Sequence, residues 1–321
     1  MSATIPGGVW TALATPFRAG AIDTDALTRL ALRQIMHGVS GLVVCGSTGE
    51  AASLSLDEYR AVVATVAHAV GPATPVAAGC TAQNTADAVR LAEAAAAAGA
   101  TALLCAAPPY VRPTQDGLFA HLRAVAHATD LPLIAYDVPG RTGVAFADAT
   151  LARLAGAGHI VAVKDATADL SRPPRLALLA GRRLLQFSGD DTTAAAQLAM
   201  GGDGCISVTA NVMPGLCAQM HAAWVDGNLD RFAELRDALA PLHEALFAET
   251  NPIPVKAALE LLGLCDAHAR APLCRAAETT RARLATVITS LRSMAGEASS
   301  GARRDFARPP RRDQARLTLV R

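Results

Sequence analysis

The segment His159-Ile-Val-Ala-Val-Lys-Asp165 decides the fold class, because a short apolar run of strand type ends there in two charged residues. An apolar run without polar alternation is typical of a parallel strand that is covered on both faces. Seven more runs of this kind occur in the first two thirds of the chain, at residues 9–14, 41–45, 75–79, 102–106, 131–136, 184–187 and 204–208. The chain therefore contains eight candidate strands.

Segments with helical periodicity separate these runs. Ser55 stands three residues before Glu58, and Asn84 stands three residues before Asp87. A polar cap followed by an acid at this spacing is typical of a helix N-terminus. Eight strand and helix units in about 200 residues suit a closed barrel better than an open doubly wound sheet. We predict an α/β fold, a (β/α)8 TIM barrel, over residues 1–212.

The pattern becomes purely helical after residue 208. Helical segments at residues 214–226, 229–248, 254–262 and 271–293 predict a C-terminal helical extension over residues 213–295. From residue 296 to 321 the composition shifts to arginine, serine and proline. A segment with so few large apolar residues cannot offset its ordering entropy, so we predict a disordered, solvated Arg-rich tail there.

The composition bounds the partners. Of 321 residues, 51% are hydrophobic and 18% charged, and the net charge is +1, which predicts a large core and no nucleic-acid partner. The seven cysteines include no C-x-x-C pair and are typical of a reducing compartment. The sequence carries neither a signal-peptide pattern nor a long apolar span. We expect a cytoplasmic protein with no membrane partner that acts on a metabolite.

Polar segments follow most of the candidate strands. In a TIM barrel, catalytic groups lie at the C-terminal ends of the strands, where the loops that follow them gather. Segments of this kind occur at residues 46–50, 108–110, 136–141, 164–165, 188–191 and 206–211. We expect them to converge on one face.

Lys164 is the leading catalytic candidate, because the chain has only one other lysine, Lys256. Burial at the end of a strand lowers the pKa of a lysine and frees its amine to attack a ketone, which gives an electron-withdrawing iminium. The alternative is a lysine that merely extends its amine toward solvent along apolar surface, or one that pairs with Asp165. Lys256 follows Pro252-Ile-Pro254 at a helix start, and we interpret it as structural.

Four other residues have two interpretations each. Ser47 and Thr48 lie between glycines, in a nest that could hold a carboxylate or phosphate, or in an ordinary turn. Tyr136 could donate and accept protons, or fill the core. Arg141 could bind a substrate carboxylate through two parallel hydrogen bonds, or lie on a surface loop.

Metal-dependent chemistry is disfavoured by the pattern of histidines. The eight histidines fall mostly within helical segments, and none forms an H-x-x-x-H pair beside an acid. No Gly-x-Ser-x-Gly elbow occurs either. We therefore expect no metal ligand in the site.

Six segments in order carry a family resemblance. They are Gly46-Ser-Thr-Gly-Glu50, Tyr136-Asp-Val-Pro-Gly-Arg-Thr142, Val163-Lys-Asp-Ala-Thr167, Ser188-Gly-Asp-Asp191, Ile206-Ser-Val-Thr-Ala-Asn211 and Asn251-Pro-Ile-Pro-Val-Lys256. From about residue 7 to about residue 293 the chain resembles the dihydrodipicolinate synthase family of class I aldolases, which also holds N-acetylneuraminate lyase.

The resemblance implies condensation of pyruvate with aspartate semialdehyde, toward diaminopimelate and lysine, without a cofactor. Lys164 matches the family's Schiff-base lysine and Tyr136 its proton donor and acceptor. Ser47 and Tyr110 match a proton relay in which Tyr110 enters the neighbouring subunit of a homotetramer, a dimer of dimers.

Further site residues are implied by the same resemblance. Thr48 and Ile206 match pyruvate contacts, Gly189 matches a substrate-binding position, and Arg141 matches the guanidinium that receives the semialdehyde's carboxylate.

Several positions depart from the family pattern. Ser47 replaces a threonine, in a form usual among neuraminate lyases, so a sugar-acid substrate stays open beside the semialdehyde. Arg141 and the segment 251–256 favour the synthase reaction. A noncatalytic barrel that binds a keto acid is the alternative in which the protein is not an enzyme. The intact Lys164 argues against it, because a binding protein needs no nucleophile. Asp137 and Asp165 stand where the family often has Asn and Glu.

The allosteric lysine site of the family departs further. Leu56 and Tyr59 stand where feedback-sensitive members carry histidines, and Pro109 replaces an aromatic residue. We predict weak or absent inhibition by lysine.

Overall fold

The computed structural model describes residues 5–181 and 184–299. In chain order the strands are β1 (Gly8–Ala12), β2 (Phe17–Arg18), β3 (Ala21–Ile22), β4 (Gly41–Val44), β5 (Val76–Gly79), β6 (Ala102–Ala106), β7 (Leu133–Asp137), β8 (Ala162–Asp165), β9 (Leu185–Ser188) and β10 (Gly204–Ser207). The helices are α1 (Thr24–Met36), α2 (Leu56–Val70), α3 (Thr85–Ala97), α4 (Gln115–His127), α5 (Pro139–Thr142), α6 (Asp148–Gly156), α7 (Arg172–Ala180), α8 (Asp191–Ala199), α9 (Pro214–Val225), α10 (Leu229–Leu246), α11 (Ile253–Leu261) and α12 (Glu278–Ser299).

Eight of these strands close into a parallel barrel, so the predicted (β/α)8 fold is confirmed. Each barrel strand from β4 to β10 pairs with the next, and β1 closes the ring between β10 and β4. All eight correspond to the predicted apolar runs. The ladder between β7 and β8 continues to Asp137 and Asp165, which places Lys164 inside a strand instead of just after one.

The predicted helix caps form as expected. The Ser55 hydroxyl accepts a hydrogen bond from the Glu58 backbone N–H, and the Glu58 carboxylate accepts one from the Ser55 N–H. Asn84 accepts from the Asp87 N–H at 2.9 Å. These contacts satisfy amide groups that have no partner within the helix, and so fix where α2 and α3 begin.

Two apolar layers surround the strands. Inside the barrel, Trp10, Leu104, Ile134 and Phe187 belong to one buried cluster, and a side chain at Gly41 would come within 2.6 Å of the Trp10 ring. Outside, the second layer fills the space between the strands and the helices. The inner cluster fills the barrel below its C-terminal rim and leaves room for a cavity above it.

Only helices and a short 3-10 turn follow β10 within the described part of the chain. α9 packs on α10, and α12 packs on α10 and α11. Leu284, Ile288 and Leu291 of α12 are buried in these contacts. No helix among residues 5–181 and 184–299 is long and apolar enough to cross a membrane.

Two sequence expectations differ in detail. α12 continues to Ser299, so the first residues assigned to the tail are helical, and residues 300–321 lie outside the described residues. The division of the chain at residue 212 stays a prediction. The two-residue strands β2 and β3 were not predicted, because they are too short to produce an apolar period.

Candidate active site

A cavity of about 340 Å³ opens at the C-terminal ends of the barrel strands. Six of the predicted site residues line it: Ser47, Thr48, Tyr136, Arg141, Lys164 and Gly189. They come from the loop after β4, strand β7, helix α5, strand β8 and the loop after β9. The barrel therefore gathers most of the predicted residues at one place.

Lys164 lies on the wall of this cavity with 6% of its surface exposed. Its Nζ is 4.2 Å from the centre of the Tyr136 ring, because the two residues are direct partners in the ladder between β7 and β8. Asp165 accepts hydrogen bonds from Thr167 and forms an ion pair with Arg172. The alternative in which Lys164 pairs with its neighbour Asp165 is therefore wrong, since the two side chains point to opposite faces of the strand.

The loop at residues 46–50 is held by a buried ion pair. Glu50 ends the loop in a left-handed backbone conformation, and its carboxylate pairs with Lys256, whose side chain is fully buried. The other Glu50 oxygen accepts the Arg270 N–H at 2.8 Å. Burial lowers the pKa of Lys256 below its ordinary value, and the nearby Glu50 carboxylate offsets only part of this effect. The structural interpretation of Lys256 agrees with this arrangement.

Asn251 connects two predicted binding residues. Its Nδ2 donates to the Thr48 hydroxyl at 2.9 Å, and its backbone oxygen accepts from Arg141 Nη2 at 3.0 Å. Thr48 is 4% exposed, so the contact fixes a buried hydroxyl at the cavity wall. Asn251 thus links the group expected to bind pyruvate to the group expected to bind a second carboxylate.

Four cavity residues with polar or aromatic side chains were not singled out from the sequence: Asn251, Asp190, Thr192 and Phe247. Asn251 begins the sixth family segment and Asp190 follows Gly189 directly. The position of each residue within a family segment could therefore have indicated that it lies at the site. Phe247 follows the last residue of α10, and no local pattern distinguishes it from a core residue.

Two predicted residues are not on the cavity wall. Ile206 is 1% exposed and belongs to the apolar cluster inside the barrel, while Val208, two residues further on, lines the cavity. Tyr110 is 89% exposed and has a backbone φ of 75°. Within one chain the relay from Ser47 to Tyr110 is therefore not assembled.

In the part of the chain that the structure describes, no group of three or more His, Cys, Asp or Glu side chains could hold a metal ion.

A lysine at the C-terminal end of the sixth barrel strand lies beside a tyrosine of the fifth and faces a cavity with hydroxyl and guanidinium donors, an arrangement typical of barrel enzymes that use a side-chain amine as nucleophile. The chain belongs to the dihydrodipicolinate synthetase family, whose model matches residues 5–291. The sequence resemblance is thereby confirmed.

Relatives and solved structures agree over most of the chain. The 4-hydroxy-tetrahydrodipicolinate synthase of Rhodospirillum centenum is 49% identical over 282 residues, which are 87% of this chain and 97% of the relative. The dihydrodipicolinate synthase of Thermotoga maritima superposes with a TM-score of 0.87 at 38% identity, covering 89% of this chain and 98% of its own. The dihydrodipicolinate synthase of Acinetobacter baumannii, solved in complex with pyruvate, superposes with a TM-score of 0.86 at 38% identity. The match covers 89% of this chain and 99% of that structure's chain.

Proposed function

We propose that the protein is a lyase that condenses pyruvate with L-aspartate 4-semialdehyde to 4-hydroxy-tetrahydrodipicolinate, in the biosynthesis of diaminopimelate and lysine. The observation that carries the proposal is the position of Lys164 on a cavity wall, with its amine over the Tyr136 ring. A relative that is 49% identical bears the name of this synthase, and a solved structure of the family holds pyruvate.

The chemistry follows from these groups. The Lys164 amine attacks the keto carbon of pyruvate, and loss of water leaves an iminium. Loss of a methyl proton gives an enamine, whose carbon adds to the aldehyde of the second substrate. The amine of that substrate then displaces Lys164 and closes the ring. Tyr136 moves the protons, and Ser47 with Tyr110 relays them to solvent. No metal or organic cofactor takes part.

The two carboxylates have separate partners in this proposal. Thr48 and the backbone near Gly189, both on the cavity wall, hold the pyruvate carboxylate. Arg141, whose position Asn251 fixes, receives the carboxylate of the semialdehyde. The second candidate is a pyruvate aldolase acting on N-acetylneuraminate or a 2-keto-3-deoxy sugar acid. Ser47 favours it, because serine stands here in place of the synthase's usual threonine, as is usual among neuraminate lyases.

Borohydride reduction in the presence of pyruvate tests the mechanism. A single mass increase on Lys164 is expected, and no adduct would reject imine chemistry and leave the noncatalytic keto-acid-binding barrel. Turnover of the semialdehyde and of each sugar acid by the purified protein then separates the two enzyme candidates. Activity retained after dialysis against a chelator is expected, since no step uses a metal.

The assembly that we propose is a homotetramer, a dimer of dimers, in which Tyr110 enters the site of a neighbouring subunit. The 89% exposure of Tyr110 in the isolated chain supports this, because a phenol that serves its own site would line its own cavity. Mixing Tyr110→Phe with Lys164→Ala protein tests it: hybrid dimers should regain activity if Tyr110 acts across the interface. The seven free cysteines agree with the reducing cytoplasm that we propose as the location.

A further inference from the structure

The two strands that carry Tyr136 and Lys164 also carry two aspartates, each one residue further along. In the ladder between β7 and β8, Tyr136 pairs with Lys164 and Asp137 pairs with Asp165. Successive strand residues point to opposite faces, so the first pair faces the cavity and the second faces the helices outside. Asp137 is fully buried and Asp165 is 8% exposed. A pair of carboxylates therefore lies directly behind the pair of candidate catalytic groups.

Arg172, the first residue of α7, joins these carboxylates. It is 3% exposed, and its Nη1 donates to Asp137 Oδ2 at 2.7 Å and lies 3.4 Å from Asp165 Oδ1. Its Nη2 donates to the Phe146 backbone oxygen at 2.7 Å, and its Nε donates to Asp148 Oδ1 at 2.8 Å. One guanidinium thus connects both strands to the start of α6.

The remaining contacts of the carboxylates restrict them further. Asp137 Oδ1 accepts the Phe146 N–H at 3.2 Å, and Asp165 Oδ1 accepts both the N–H and the hydroxyl of Thr167. Burial raises the pKa of Asp137, and the Arg172 guanidinium lowers it. Without the guanidinium, two buried carboxylates would face each other across the strand ends. Either the strands would have to separate or one of the carboxylates would have to take up a proton.

We propose that Arg172 is a positioning residue for the imine chemistry: by holding the outer carboxylates of β7 and β8 together, it fixes the spacing of Tyr136 and Lys164 on the inner face. Arg172 does not line the cavity and so acts only through the strands. The inference rests on the proposed function, since imine formation is the step that this spacing serves. A planar fork with several donors suits the task, whereas an ammonium offers one point charge.

The test compares Arg172→Lys with Arg175→Lys. Arg175 lies on the same helix and pairs with Asp148 and Asp169, and the structure gives it no ion pair with Asp137 or Asp165. Rapid quenching with borohydride at saturating pyruvate measures the rate constant of imine formation, and its dependence on concentration gives KM for pyruvate. We expect Arg172→Lys to lower the rate constant about tenfold or more with KM within about threefold, and Arg175→Lys to stay within about twofold.

A second variant covers the case in which Arg172→Lys does not fold. Asp165→Asn keeps the shape and the acceptor for Thr167 but removes the charge that faces Arg172, and it should slow imine formation about threefold at unchanged KM.

Two outcomes would overturn the inference. In the first, folded Arg172→Lys protein, or Asp165→Asn protein in its place, forms the imine with the parent rate constant and shows only a lower unfolding temperature. In the second, Arg175→Lys lowers the rate constant of imine formation as much as Arg172→Lys does. A parent protein that forms no imine would reject the proposed function as well. A parent imine with unaffected variants would reject the positioning role alone.

Discussion

Replacing Lys256 by methionine should destabilise the fold strongly, although the residue lies outside the cavity. The Lys256 side chain is fully buried; its Nζ pairs with Glu50, donates to the His268 backbone oxygen at 2.8 Å and lies 4.1 Å from the centre of the Phe17 ring. Methionine has a similar length and no charge. Among the described residues, the substitution therefore leaves the Glu50 carboxylate, 2% exposed, with the hydrogen bond from the Arg270 N–H as its one remaining polar partner at hydrogen-bond distance.

The magnitude follows from the loss of the ion-pair partner of this buried charge. Removing one partner of a buried ion pair costs about 3–5 kcal/mol, because the other charge stays buried without compensation. An unfolding entropy of about 2.1 cal/mol/K per residue over about 290 residues gives about 0.6 kcal/mol/K, so the midpoint should fall by about 5–8 °C. The double variant Lys256→Met/Glu50→Gln removes both charges, and it should lose less than about half as much.

Chemical unfolding in guanidinium chloride, followed by circular dichroism, measures the free energies, and thermal scans give the midpoints. The same samples should show a raised KM for pyruvate, because Glu50 ends the loop that places Thr48 on the cavity wall. A single variant whose midpoint stays within about 2 °C of the parent would refute the reasoning. A double variant as unstable as the single one would show that packing around Lys256, and not its charge, determines the cost.

Three further predictions concern catalysis, acid stability and regulation. Lys164→Ala should abolish both the borohydride adduct and turnover, whereas Tyr136→Phe should keep some adduct and lose rate; a full adduct on Lys164→Ala protein would contradict this. Arg270 lowers the pKa of Glu58 from 4.5 to about 2, so this group's stabilisation is complete above pH 4.5 and disappears as the pH falls toward 2. Glu58→Gln should therefore lose less stability than the parent in acid titrations followed by circular dichroism, and equal losses would count against the pair. Lysine should inhibit weakly or not at all, since Tyr59 is only 2% exposed and its hydroxyl oxygen is buried; inhibition at submillimolar lysine in a steady-state assay would contradict this.

The barrel could be predicted because its cause is local. Each strand buries both faces, so each appears as an apolar run, and eight such runs define the ring. The functional loops follow from the same rule, since polar residues at strand ends have no other place to lie. Ile206 shows the limit of the rule. A residue inside a strand end faces either the core or the cavity, and only the register of neighbouring strands decides which.

The network around Arg172 could not be predicted for a related reason. Asp137 and Asp165 are 28 positions apart in the sequence, and nothing local indicates that the ladder pairs them. Arg172 reaches both only because α7 begins beside the ends of those strands. Asn251 is similar, since its contacts with Thr48 and Arg141 span more than a hundred residues each. Long-range polar contacts of this kind depend on topology, which an apolar pattern does not specify.

The two lysines show why burial alone does not identify a nucleophile. Each amine lies about equally close to an aromatic ring, at 4.2 Å for Lys164 over Tyr136 and 4.1 Å for Lys256 over Phe17. Lys256 is the more buried of the two, and burial lowers its pKa, yet it is enclosed on all sides and paired with Glu50. Lys164 borders an open cavity, so a keto acid can reach its amine. Access from the cavity therefore distinguishes the amine that we propose as the nucleophile, and borohydride trapping in pyruvate should modify Lys164 and leave Lys256 unmodified in the folded protein.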